Sequence, residues 1–327
     1  MPKTCHAIRI HEPGDPDVMR WEEVEVPDPG PGEVLLRQTA VGLNFIDVSQ
    51  RRGSYPAMPD LPAVLGMEAA GVIEAVGGGV TGYAVGDRIS YCMVIGAYAE
   101  WRTMTTDRFN KLPDDIPDEV AAASTLQGLT AHYLLHDSHP VQAGETVLVH
   151  AAAGGMGTFL CQWAKAKGAT VLGTVSTDAK AEVARAHGCD HPIVYTRDDF
   201  AEAVMDLTGG NGVNAIYDAI GKDTFEKGMT CLASRGRMVS YGQASGPVPP
   251  IDVGPYALKA LSIIRTGLNT YTRDDAERAR RAADLWDAIS SGKVKVEINQ
   301  RMPLAEAAKA HAALENRQTT GSTVFTV

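Results

Sequence analysis

Cysteine is scarce and unpatterned in this chain: Cys5, Cys92, Cys161, Cys189 and Cys231 are the only five in 327 residues, and no two form a C-x-x-C pair. Such an odd, scattered set excludes a disulfide framework and suits a reducing compartment. Positive charge is also short. The 30 Lys and Arg against 40 Asp and Glu leave a formal charge of −10, which argues against nucleic acid or an anionic membrane surface as the main partner. No apolar run approaches the roughly 20 residues of a membrane span. The stretch Met1–Ala7 carries no apolar signal core, so a cytoplasmic protein is expected. There is no G-x-S-x-G elbow from which Ser-His-Asp hydrolysis would start, and no H-E-x-x-H. His132, His136 and His139 could share a helix face, but Pro140 follows directly, and they read as helix-end histidines rather than metal ligands.

What is present reads as soluble and globular, with a length sufficient for two domains. One stretch stands out: Val147-Leu148-Val149-His150-Ala151-Ala152-Ala153-Gly154-Gly155-Met156-Gly157, an apolar run entering a turn of small residues. A helix over Thr158–Lys167 is predicted to follow and to stop at Gly168. Strand, glycine-rich turn and helix in that order aim helix N-terminal amides at a phosphate. Gly154 and Gly157 fit two of the three dinucleotide-fingerprint glycines, for close approach to a pyrophosphate and for close helix–strand contact. Ala152 stands at the first glycine position, so a merely tight strand–helix turn is the competing reading.

Thr170–Val175 reads as the second strand of a βαβ unit. An NAD site usually places Asp or Glu at the tip of that strand, to accept from the ribose 2′-hydroxyl. Here the tip is Ser176-Thr177-Asp178-Ala179-Lys180: Ser176 is neutral and Lys180 is placed to meet a 2′-phosphate. Asp178 argues the other way, although Ser-Thr-Asp before a helix is also N-cap chemistry, and Lys180 read alone could be a solvated helix lysine. NADPH is favoured over NADH.

Up to about Pro117 the chain is dense in turns and short strand-like runs, such as Glu33–Val41 and Gly71–Gly77, with one helix expected near Asn44–Arg52. Helical stretches near Asp118–Leu135 precede the first cofactor strand. Strands at Pro192–Tyr195, Val213–Asp218 and Arg237–Tyr241 then alternate with helices at Asp178–His187, Asp198–Leu207 and Thr224–Leu232. Ser262–Arg265 reads as the last strand of that sheet. Helices at Arg273–Ser290 and Leu304–Asn316 follow, and a strand near Ser322–Val327 closes the chain. The charged run Arg273–Arg278 reads as a solvated helix face. Such alternation means a doubly wound parallel sheet, inserted into a β-rich domain made of both chain ends.

Together these residues resemble the medium-chain dehydrogenase/reductase superfamily, and within it the quinone oxidoreductases of the zeta-crystallin type. The resemblance spans essentially the whole chain. The family signature G-E-x-x-L-x-x-x-A-A-G-G-x-G-x-x-x-x-Q-x-x-K is satisfied from Gly144-Glu145 to Gln162 and Lys165, which makes Ala152 a normal occupant of its position. Gly42-Leu43-Asn44-Phe45-Ile46-Asp47 resembles the family's G-x-N-F-x-D segment. Gly66-Met67-Glu68-Ala69-Ala70-Gly71 and Val85-Gly86-Asp87-Arg88 resemble turns of its GroES-like domain, Gln127-Gly128-Leu129-Thr130-Ala131 the entry to the cofactor domain, and Tyr241-Gly242 a turn after a late strand. The implied fold is α/β, a Rossmann doubly wound parallel sheet over 126–266 inserted into a GroES-like domain of 1–125 plus 267–327.

The resemblance further implies NADPH as cofactor. Asn44 and Thr130 would lie near the nicotinamide, and Gly154, Gly155, Met156 and Gly157 against the pyrophosphate. Ser176, Lys180 and Tyr195 would surround the 2′-phosphate, and Tyr241, Gly242, Leu268 and Arg317 would line the remaining groove. Tyr195 could equally be a strand aromatic covering the sheet edge, and Arg317 a helix-end arginine facing the helix dipole. Zinc alcohol dehydrogenases of this architecture hold a catalytic metal with Cys and His. Here Met67 stands in the G-H-E segment, the Asn44 segment replaces the catalytic Cys, and only Cys92 occurs in the region of the structural zinc, so no metal is expected.

A quinone is electrophilic and becomes aromatic on reduction, so no obligatory acid–base residue is assigned, and the protein's task is alignment. Asn44, Asp47, Tyr55 and Thr130 are candidates to position the substrate or steady an oxyanion, with Asp47 also able to cap the helix or pair with Arg51. Relatives often read N-F-I-D-x-Y where this chain has Ser49; the lost ring would enlarge the mouth of the pocket for polycyclic quinones. Reduction of the activated C=C bond of enones is the alternative activity, and a crystallin-like or RNA-binding role a further one. The family pairs edge strands into homodimers, and Ser262–Leu268 is the expected edge.

Overall fold

Turn residues punctuate the first hundred positions every few residues, and the strands between them are correspondingly short. The computed structural model describes residues 3–55 and 57–327. In chain order the elements are β1 (Lys3–Ile10), β2 (Arg20–Val26), β3 (Glu33–Leu43), α1 (Phe45–Arg51), β4 (Ala63–Val64), β5 (Glu68–Val76), β6 (Arg88–Cys92), β7 (Trp101–Thr105), β8 (Phe109–Lys111) and α2 (Asp118–Ala122). Then come α3 (Thr125–Tyr133), β9 (Thr146–Val149), α4 (Gly155–Ala166), β10 (Thr170–Val175), α5 (Asp178–Ala186), β11 (His191–Val194), α6 (Phe200–Leu207) and β12 (Val213–Asp218). The remainder is α7 (Phe225–Thr230), β13 (Leu232–Ser240), β14 (Ser262–Arg265), α8 (Leu268–Tyr271), α9 (Asp275–Ser290), β15 (Ile298–Pro303), α10 (Ala307–Glu315) and β16 (Ser322–Thr326).

Two units divide the chain: Met1–Leu126 with Asp275–Trp286 and Val296–Val327, and Gln127–Asp274 with Asp287–Lys295. The chain returns to the first unit at Asp275 and again at Val296.

The first unit holds a sheet of order β2-β1-β4 and a larger one of order β15-β16-β3-β5-β6-β8, with β7 also on β3. β3 shows why the chain adopts strand here. Val34, Leu36, Gln38 and Ala40 point inward and alternate with half-exposed Glu33, Leu35, Arg37 and Thr39, the period-2 pattern of a strand with one buried face. Val34, Leu36, Ile73, Ile89, Tyr91 and Phe325 join in one apolar core.

The second unit is built on a parallel sheet of order β11-β10-β9-β12-β13-β14. Strands β9, β10 and β12 are near-continuous apolar runs because both of their faces are covered. Relabelled in chain order, the strands run 3-2-1-4-5-6, the Rossmann order, whose topological switch lies between β9 and β12. Ligands of such sheets gather there, at the carboxyl ends of the strands.

Several elements depart from the sequence reading. The helix predicted from Thr158 begins at Gly155, so the glycines form its first turn. The helical stretch at 118–135 is α2 and α3, continued by a π-helical turn over Leu134–Ser138. The helix predicted from Arg273 begins at Asp275, and its charged face is not wholly solvated. Arg278 is buried beside Asp275, and the fully buried Arg281 reaches Glu277. An arginine's apolar stem can be covered when its head finds a carboxylate. β15 escaped sequence reading because Asn299, Gln300 and Arg301 look like loop until β16 supplies the parallel partner.

Candidate functional site

In the second unit the site is made of backbone. After β9 the chain turns at Ala151, which takes a left-handed φ of 55° that glycine would ordinarily supply, so Ala152 can stay buried beneath the turn. Gly154 caps α4 in extended conformation, and Thr158 N–H bonds back to Gly154 O at 2.9 Å. Amides of Gly155, Met156 and Gly157 form the first helical turn, where no preceding carbonyl exists to bond them and the helix dipole favours an anion.

The glycines differ in what they need. A Cβ on Gly157 would lie 2.3 Å from Ala151 O, and one on Gly155 2.4 Å from Gln127 Oε1. One on Gly154 would meet only Ala151 O, at 3.3 Å. Gly157 is therefore glycine for packing against fixed backbone, Gly155 meets only the end of the Gln127 side chain, and Gly154 leaves the front of the turn bare. That is the surface a pyrophosphate needs, and the residues fit the group.

The tips of β10 and β11 are bound together beside this turn. Tyr195 N–H donates to Val175 O (3.0 Å) and Thr196 Oγ to Ser176 O (2.9 Å), while Thr177 caps α5 by accepting from Lys180 N–H (3.2 Å). Ser176, Lys180 and Tyr195 thus share one edge. A residue that sequence reading missed joins them: Arg197 forms an exposed ion pair with Asp178 at 3.3 Å and with Asp198 at 3.4 Å. The acid that argued against a 2′-phosphate carries its own counter-ion. The only sequence signal was an arginine among acids after a strand.

Tyr241 follows β13 and its N–H donates to Asp218 O (2.9 Å); Gly242 passes so close to Ala219 that a Cβ would lie 2.6 Å from its carbonyl oxygen. Thr130 is buried on α3 and Leu268 on α8, and Tyr133 of α3 stacks on Tyr271 of α8 with centroids 4.2 Å apart. His132 and His136 stack on each other (4.3 Å) and edge onto Trp163, and His139 bonds Glu145 at 3.0 Å. Among the described residues no three His, Cys, Asp or Glu side chains gather as metal ligands.

In the first unit the site is made of side chains. Asn44 is the N-cap of α1 and is nearly buried. Asp47 Oδ2 reaches back to accept from Asn44 N–H at 2.9 Å, one limb of a capping box, while Asn44 Nδ2 donates to Glu68 Oε2 at 2.7 Å. Glu68 Oε1 accepts from Leu126 N–H at 2.6 Å. Both carboxyls are fully buried. Burial pushes Asp47 up to about 7 against bonds from Asn44 and Tyr98, and pushes Glu68 up to about 8, with Asp47 adding repulsion.

Asp47 does not pair with Arg51, as one sequence reading had it. Arg51 turns to Glu315 (2.8 Å), His311 (3.1 Å) and Gly14 O (3.0 Å), because α10 offers a carboxylate that its own helix face does not. Asp47 itself is fully buried in the first turn of the helix. Ser49 returns its hydroxyl to Phe45 O (3.3 Å), and half-buried Tyr55 follows in the turn, its N–H on Ser49 O at 3.2 Å.

Arg317 lies just past α10 and closes it with a Schellman motif: Gln318 N–H bonds Ala313 O (2.9 Å) and Arg317 N–H bonds Leu314 O (3.1 Å). The motif places Arg317 at φ 59°, where glycine is the ordinary choice.

Residues 30–140 match the family described as Alcohol dehydrogenase GroES-like domain, and residues 155–285 that described as Zinc-binding dehydrogenase. A quinone oxidoreductase of Pseudomonas aeruginosa is 47% identical over 95% of this chain and 96% of its own. A 2-haloacrylate reductase of a Burkholderia species is 46% identical over 98% of both chains. The crystal structure of Escherichia coli quinone oxidoreductase complexed with NADPH superimposes with a TM-score of 0.95 at 40% identity, covering 99% of this chain and 100% of that one. This chain belongs to the quinone oxidoreductase family, the zinc-free branch of the medium-chain dehydrogenase/reductase superfamily.

Proposed function

We propose that the protein is an NADPH-dependent quinone reductase acting without a metal. The observation that carries this reading is the bare glycine turn opening α4, flanked by a strand tip whose acid is neutralised by arginine. NADPH, when bound, supplies the hydride. Gly154–Gly157 hold the pyrophosphate through helix amides, and Ser176, Lys180, Tyr195 and Arg197 hold the 2′-phosphate by hydrogen bonds and charge. Tyr241, Gly242, Leu268 and Arg317 line the rest of the cofactor. Asn44 and Thr130 orient the nicotinamide through amide and hydroxyl hydrogen bonds. Thr130 and Tyr55 face the quinone. Ser49 stands at the mouth of its site, where the absent ring leaves room for polycyclic substrates; Ser49→Tyr is expected to slow 9,10-phenanthrenequinone several-fold relative to 1,4-benzoquinone, and equal relative rates would remove that role.

Loss of nicotinamide absorbance with 1,4-benzoquinone, NADPH or NADH, and an enone as competitor tests the whole reading. Fast oxidation of NADPH with the quinone and slow oxidation with NADH or the enone is the expected result. The second reading, reduction of an activated C=C bond, is favoured by the haloacrylate-reducing relative, and a preference for the enone would establish it. For cofactor choice, Arg197→Glu is expected to raise KM for NADPH about tenfold and leave NADH unchanged, since it replaces a charge-assisted phosphate contact with repulsion.

A cytoplasmic homodimer completes the reading. β14 is the outer strand of its sheet and carries exposed Ile263, with exposed Val253 and Leu258 nearby in sequence, an edge that a second copy would cover by strand pairing. No helix among the described residues is long and apolar enough to cross a membrane. Sedimentation at micromolar concentration, with Ile263→Lys expected to yield monomer, tests the edge.

A further inference from the structure

Asn44 is held at both ends by buried carboxyls, Asp47 on its backbone and Glu68 on its side chain. What holds Asp47 lies far away in sequence. The Tyr98 hydroxyl donates to Asp47 Oδ2 at 3.0 Å and meets His311 Nε2 at 3.0 Å, and Arg51 Nη1 meets His311 Nδ1 at 3.1 Å. Tyr98, His311, Arg51 and Asp47 are each 0% exposed. A guanidinium can only donate, so Nδ1 of His311 accepts and its Nε2 carries the hydrogen. That hydrogen points at the Tyr98 oxygen, which leaves the phenolic proton directed at Asp47. The chain of donors therefore runs one way, Arg51 to His311 to Tyr98 to Asp47. The Tyr98 ring is fixed as well, edge-on to His311 and Phe325.

This directionality is built from a fully buried arginine and histidine. Burial together with the neighbouring Arg51 brings His311 down to about 3, so it stays neutral and the order of donors does not reverse. The chain ends on the one backbone amide whose residue projects from the start of α1.

We propose that Tyr98 is a positioning residue for Asn44: its hydroxyl, aimed by His311 and Arg51, fixes the Asp47 carboxyl that holds the Asn44 backbone and hence the angle at which the Asn44 amide meets its ligand. The inference rests on the reading that Asn44 orients the nicotinamide. Misplacing an orienting group by a fraction of an ångström slows the reaction far more than it weakens binding.

The test is a double-mutant cycle on the full chain with NADPH and 1,4-benzoquinone: wild type, Tyr98→Phe, Asn44→Ala and the double variant, each read for kcat, KM for NADPH and Tm. Tyr98→Phe keeps the ring. It is expected to lower kcat about tenfold while KM stays within about twofold, and to have no further effect once Asn44 is Ala. If Tyr98→Phe does not fold, His311→Gln carries the same cycle with a smaller loss of kcat. A loss that repeats in full in the Asn44→Ala background overturns the positioning role and leaves Asn44's own role intact. An unchanged kcat in folded Tyr98→Phe overturns it too. Asn44→Ala with wild-type kcat and KM overturns the reading of Asn44, and the role of Tyr98 with it.

Discussion

The candidate residues of the two units use opposite materials. In the second unit the turn opening α4 is main chain left bare at Gly154, with side chains only at the neighbouring strand tips, where Arg197 pairs with Asp178. In the first unit one amide, Asn44, is supported by Asp47, Glu68, Tyr98, His311 and Arg51, side chains drawn from four separate stretches. A backbone site tolerates no added atoms but carries no buried charge. A side-chain site carries buried charge, and each of its members depends on the next.

The largest effect that would sharpen this contrast is the loss of Arg51. Arg51→Ala leaves His311 without its buried donor and Glu315 with only the exposed Arg52, and is expected to destabilise the fold by about 3–5 kcal/mol, measured by urea unfolding. A cost under about 1 kcal/mol would show that the network is solvated and the contrast false.

Next come the two glycines. Gly157→Ala places a methyl against fixed backbone and is expected to lower stability by about 1–3 kcal/mol and NADPH affinity with it. Gly154→Ala meets a single contact at 3.3 Å, and is expected to keep its Tm while losing NADPH affinity roughly tenfold, read by fluorescence titration. Equal losses of Tm in both would mean that Gly154 too is glycine for packing alone.

The smallest effect is on pH. Glu68 keeps its proton to about pH 8 when folded, whereas the unfolded carboxyl loses it near pH 4.3. Over that window the folded state binds the extra proton, so this group's contribution falls as pH rises. Glu68→Gln, which cannot ionise, is therefore expected to gain on wild type from pH 5 to pH 8. Parallel stability curves would show that the carboxylate is already ionised, held by Asn44 and Leu126.

This difference in materials also explains what could be read in advance. Strand, small-residue turn and helix are local, so Val147–Gly157 announced both the Rossmann sheet and its phosphate surface, and Thr170–Val175, Val213–Asp218 and Ser262–Arg265 fell where their apolar runs lie. What the turn conceals is which residue takes the left-handed conformation: an Ala at 151 gives no warning. The first unit was legible as β-rich, but its network was not. Asp47 and Arg51 stand four apart on one helix, which suggests a pair; only the return of α10 shows why Arg51 looks elsewhere. β15 was hidden for the same reason, since an edge strand with polar alternation needs its partner to be recognised.

Arg197 and Asp178 lie on the surface at the tips of two strands, and no core contact depends on either. A discrimination resting on such a pair is detachable from the architecture beneath it. Descendants of this chain could trade one nicotinamide coenzyme for the other by substitutions at Arg197 and Lys180 that unmask the acid, while every strand, cap and glycine stays as it is. Coenzyme choice would then drift faster than the reaction it serves.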